Sequence, residues 1–238
     1  MSSSSSPANE PPQDAPSGPS RTGIVVTIAI ALTVVIVTAV SLSGAGGRGL
    51  DDEEEFLESG THALDFGAVT LTGELTGDWI ARPRCDRWLQ LYDATNDANT
   101  IHLVHLDAVP SRGDGTDQVD IVMEETPDDV VAWLAQRSIL LEGPQTLDVD
   151  GRPAVAGRLT AGEGIVSNDA IMACGALPGP AGTGMLGPQA GFNQYLVVID
   201  TVDVPVLVIG AAWVGGDVDA ATAAVEALLD DATIEVTG

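Results

Sequence analysis

The chain has 238 residues and a formal net charge of −26, from 35 acidic residues against nine cationic ones, all of them arginine. So acidic a surface repels polyanions, which excludes nucleic acid as a partner and disfavours anionic lipid head groups. The absence of lysine, with abundant Ala, Val, Gly and Asp, reads as a high-GC genome and concerns the organism rather than the function.

The first 21 residues are Ser, Pro and small polar residues without apolar periodicity, and they predict a disordered cytoplasmic tail. The uncharged run Thr22–Leu42 follows, bracketed by Arg21 and Arg48. At about 1.5 Å per residue such a run reaches about 32 Å, so residues 22–43 are expected to form one membrane-spanning helix. A secretory signal peptide is the competing reading, but its apolar region would be shorter and would follow a basic start. Residues 44–60 read as a tether: a glycine-rich hinge (Gly44, Gly46, Gly47, Gly49), then the self-repelling run Asp51 to Glu55.

Residues 61–238 have the size of one domain with its own core. The positive-inside rule has little to count, so the two cysteines, Cys85 and Cys174, supply the orientation. An isolated pair far from the membrane fits an oxidising exterior. The amino terminus is therefore expected in the cytoplasm and the domain outside, at the cell membrane.

Within that domain, strand patterns recur between turn signals. They cover 62–75, 87–94 and 101–109 around the loop Asn96–Asn99, then 119–124. Leu147–Val149 and Pro153–Leu159 flank Asp150-Gly151 as a hairpin, and 194–200 and 204–214 form a last pair. Thr126-Pro127-Asp128-Asp129 predicts a helix start, with Thr126 as N-cap and Val130, Trp133 and Leu134 on one face. A second helix runs from Asp217, its N-cap, to about Asp231, and a strand over Thr233–Val236 closes the chain. The fold class expected is α+β: one N-terminal transmembrane helix plus an antiparallel sheet with two helices packed on one face.

This order of elements, over roughly Trp79 to Val236, resembles small extracytoplasmic domains of actinobacterial membrane proteins, some of which resemble the Mog1/PsbP-like α/β sandwich. The resemblance rests on pattern and implies a binding or scaffolding domain. It transfers no catalytic residue.

Several motifs invite chemistry and are set aside on context. Gly182-Thr183-Gly184-Met185-Leu186-Gly187 spells a dinucleotide fingerprint, but Pro178, Pro180 and Pro188 deny it the strand and helix that would give it meaning, and no cofactor is expected. His102 and His105, three apart on a strand, point to opposite faces and cannot share a metal. Asp114, Asp117 and Asp120 could hold a weak calcium ion, though such spacing arises easily in so acidic a chain, and Arg112-Gly113-Asp114 is taken as coincidence.

The most informative locality is Arg82-Pro83-Arg84-Cys85-Asp86-Arg87, with three of the nine arginines around one cysteine. A free Cys85 would have a lowered thiol pKa there, which suits a redox sensor or enzyme. Paired with Cys174, it would close a loop of about 90 residues, the favoured reading, and Arg82, Arg84 and Arg87 would then bind an anionic group or pair with neighbouring carboxylates. The function expected is a non-enzymatic, membrane-anchored extracytoplasmic binding or scaffolding module for an envelope protein or small ligand. The thiol-based sensor or enzyme and an accessory subunit of a membrane complex are the alternatives.

Overall fold

The computed structural model describes residues 54–110, 123–161, 171–174, 185–186 and 193–237, all within one compact unit. Its elements follow in chain order: β1 (Glu55–Leu57), β2 (Gly60–Phe66), β3 (Val69–Leu75), β4 (Trp79–Cys85), β5 (Trp88–Asp93), β6 (Asn99–His105), β7 (Ala108–Pro110), β8 (Met123–Glu125), α1 (Val130–Gln136), β9 (Ile139–Val149), β10 (Arg152–Ala161), β11 (Met172–Ala173), β12 (Met185–Leu186), β13 (Asn193–Ile199), β14 (Val206–Ala212), α2 (Val218–Leu229) and β15 (Thr233–Val236).

Eight strands form the main sheet in the order β1-β4-β5-β6-β14-β13-β10-β9, each pair antiparallel. Residue type sets its layers. The central strand β14, VLVIGAA, is buried at every position, as a strand covered on both faces must be. Leu89, Leu91, Ile101, Leu103, Val206 and Val208 point to a first core, which Leu64, Phe66, Val69, Leu71 and Ile234 complete. Those last five belong to a three-stranded sheet, β15-β3-β2, whose alternating apolar residues bury one face.

Helix α2 enters the same core through Ala221, Val225 and Leu228. Gly210 makes room for it, since a Cβ there would lie 2.8 Å from the Ala221 carbonyl oxygen. A second core lies on the opposite face of the main sheet, where Val130, Trp133 and Leu134 of α1 meet Val104, Leu196, Leu207 and Ile209.

The expected fold class is corrected on three counts. Strands dominate: among the described residues there are fifteen strands, and the two helices have only 7 and 12 residues. The two helices take opposite faces of the main sheet, because a second sheet fills most of the layer that they were expected to share. No helix among the described residues is long and apolar enough to cross a membrane, so the transmembrane helix finds no support; the span at 22–43 lies outside the described residues.

Smaller differences have local causes. Residues 55–57, part of the composition-defined tether, pair with β4 as a sheet strand. The segment 62–75 is a hairpin rather than one strand, turning at Gly67 with φ 67°. The cap of α1 lies three residues after the proposed one: the Asp129 carboxylate accepts from the Ala132 amide at 2.9 Å, while the Thr126 hydroxyl donates to the Leu106 carbonyl at 2.9 Å. Asp217 caps α2 as expected, and Asp150 and Gly151, with φ of 56° and 71°, turn the long β9–β10 hairpin.

Candidate functional site

The site grows from an irregularity in the hairpin of β4 and β5. Pro83 stands opposite Leu89 and Cys85 opposite Trp88, so Arg84 is an extra residue on β4, a β-bulge. Strict alternation from Trp79 and Ala81 would send Cys85 into the first core. The extra residue turns it to the second face, where it packs against the second core and is disulfide-bonded to buried Cys174, with Cα atoms 5.8 Å apart. One bulge thus positions the disulfide and leaves Arg84 half-buried beside it.

The three candidate anion-binding arginines have different surroundings. Arg82 forms an ion pair with Glu54, and its guanidinium lies 5.4 Å from the Tyr92 ring centre. Arg87 forms a hydrogen-bonded ion pair with Asp107. Arg84 is half-buried, with its guanidinium 5.7 Å from the Trp88 ring centre. Among the described residues no carboxylate pairs with it and no acceptor meets its N–H groups. The structure therefore sets Arg84 apart from the other two.

Beneath Arg84 runs a buried polar row. Gln90 faces His102, and Tyr92 faces Thr100, across β5 and β6; Gln90, His102 and Thr100 are each buried. The Trp88 indole Nε1–H donates to His102 Nδ1 at 3.1 Å, and His102 Nε2 lies 3.0 Å from the Thr100 hydroxyl. Trp88 can only donate, so His102 Nδ1 is unprotonated and the ring proton sits on Nε2. Nε2–H then donates to Thr100 Oγ1, whose own proton points to the Ala211 carbonyl at 3.5 Å. The network closes with a single tautomer. Burial, and then the charge of Arg84, push the His102 pKa down to about 3, which keeps the ring neutral.

This arrangement binds more readily than it reacts. Both His102 nitrogens are engaged, leaving no lone pair for a metal or for a substrate proton. Among the described residues no group of three or more His, Cys, Asp or Glu is placed to hold a metal ion. His105 lies on the other side of β6, where its Nδ1 accepts from the Ala68 amide at 3.4 Å. What remains is a cation over an uncharged, hydrogen-bonded platform. The fingerprint at 182–187, apart from the two residues of β12, and the aspartates 114, 117 and 120 lie outside the described residues.

Trp88, Gln90 and Thr100 escaped the sequence reading, which weighed His102 only as a metal ligand. Their signal was present as a polar set at period two, in WLQLY and NTIHLV, between apolar neighbours. A polar alternate face ordinarily means solvent, and only the register shows that these two faces meet.

No family model matches the chain, and no curated protein matches it. Among solved structures it is similar to cyanobacterial PsbP (CyanoP) from Synechocystis sp. PCC 6803, with 12% identity and a TM-score of 0.36, over 82% of this chain and 99% of that one.

Proposed function

We propose that this domain is a non-enzymatic binding or scaffolding module working outside the cytoplasm, with the arginine-bearing end of β4 and β5 as its recognition surface. The single observation that carries the reading is the Cys85–Cys174 bond, which joins β4 to the segment 171–174 across the second core. A disulfide between one half-buried and one buried cysteine is suited to an oxidising compartment, where it persists without a catalytic partner. The partner is an envelope protein or a small ligand bearing an anionic group.

The reading is tested on protein taken from its native source under acid quench and alkylation, with thiols counted after denaturation without reduction. No free thiol supports it. Two free thiols would overturn it in favour of Cys85 as a low-pKa thiol beside Arg84.

A further inference from the structure

We propose that Arg84 is the anchor of this surface and that the group it binds is a single carboxylate. This deepens the reading of the domain as a binding module and rests on it.

Glu54 neutralises Arg82 and Asp107 neutralises Arg87. Among the described residues Arg84 and Arg152 are the half-buried arginines that meet no carboxylate, and Arg152 donates to the Ile234 carbonyl, which leaves Arg84 without an acceptor. Taking a guanidinium partly out of water is unfavourable unless its donors find acceptors. Trp88 lies beneath the Arg84 guanidinium but offers its N–H groups no acceptor, since the indole nitrogen only donates.

The support beneath Arg84 is fixed and uncharged. Trp88 is buried and held by its bond to His102, and His102 is held in turn by Thr100. An incoming anion therefore meets one positive charge, whose planar fork two carboxylate oxygens can take together. The field of the whole molecule selects the charge of that anion. At a net charge of −26 each added negative charge on the ligand raises the repulsion, so a monoanion is favoured over a phosphate dianion or a polyanion.

The test is a titration of the full chain at constant ionic strength, with chloride as the reference salt, following the Arg84 Nε–H and Trp88 Nε1–H resonances. Acetate is expected to shift both to saturation at pH 7.5, and inorganic phosphate to bind more weakly. Arg84→Gln should raise the apparent Kd at least about tenfold, Arg84→Lys should retain part of the binding, and Arg82→Gln should leave it near wild type. The Trp88 resonance in Arg84→Gln reports whether the platform is intact.

A tripeptide with a free carboxy terminus, compared with its amide, separates the sources: tighter binding than acetate assigns a peptide terminus, and equal binding assigns a free acid. A shift that never saturates, or one unchanged in Arg84→Gln, overturns the proposal. If that happens in protein whose two cysteines are bonded, only the carboxylate assignment falls. Free cysteines in protein from the native source overturn the wider reading instead.

Discussion

A buried histidine kept neutral ties the stability of this protein to pH. The His102 pKa is about 3 in the folded chain, against 6.5 when exposed. Between those values the unfolded chain binds a proton that the folded one refuses, so stability rises with pH through the window. The contribution is complete above pH 6.5 and is lost as pH falls toward about 3. At roughly 1.4 kcal/mol per unit, acidification from pH 7 to pH 4.5 removes roughly 2–3 kcal/mol through this residue. Denaturant unfolding of wild type and His102→Gln at both pH values checks it: the variant should lose that much less, and equal losses would show that His102 does not set the slope. Trp88→Phe probes the same network from the other end. Removing the indole N–H leaves His102 Nδ1 buried without its donor, at a cost of about 1–3 kcal/mol in the same unfolding measurement at pH 7. The sequence gives the alternation that places His102 and His105 on opposite sides of β6. It does not give the partner strand, and the tautomer follows from Trp88, fourteen residues away.

Among the elements, α2 is where local signals and tertiary packing agree. Its Asp217 carboxylate accepts from the Asp219 amide at 2.9 Å and the Ala220 amide at 3.4 Å, satisfying donors that the first turn leaves free. Asp217→Ala should cost about 1 kcal/mol in thermal or denaturant unfolding and Asp217→Asn little, since the amide oxygen can accept the same bonds. Gly210→Ala tests the seat rather than the cap. The added methyl would press on the helix backbone, which cannot yield as a side-chain tip does, and should cost about 1–3 kcal/mol with α2 displaced from β14. A variant as stable as wild type would mean that the helix sits farther from the sheet. This helix and the closing strand β15 were legible because their apolar spacing and cap sit together in the chain. Strand β4 was not, because Arg82-Pro83-Arg84 breaks the apolar rhythm. Proline is tolerated there beside a bulge, on a stretch of β4 that no described outer strand pairs.

At the scale of the whole molecule, the two cores are held differently. Two sheets and α2 build the first, whereas Ile171, Met172 and Cys174 enter the second from a four-residue described segment that the disulfide ties to β4. Periodicity could indicate that two apolar faces existed, but which segment would cover the second depended on a bulge that no local pattern announces. Cys85 and Cys174 are 89 residues apart. In the chain-entropy model a loop of that size, once closed, stabilises the fold by about 4–5 kcal/mol. For a domain of this length each kcal/mol moves Tm by about 2–4 °C, so reduction, or the Cys85→Ser/Cys174→Ser pair, should lower Tm by roughly 10–20 °C. Hydrogen exchange should then locate the damage. If the bond chiefly secures the second face, amides of 171–174 and of α1 lose protection before those of β3 and α2. Uniform loss would make the bond a constraint on the unfolded chain alone, and a Tm change under about 3 °C would mean that the packing of Ile171 and Met172 holds the segment without it.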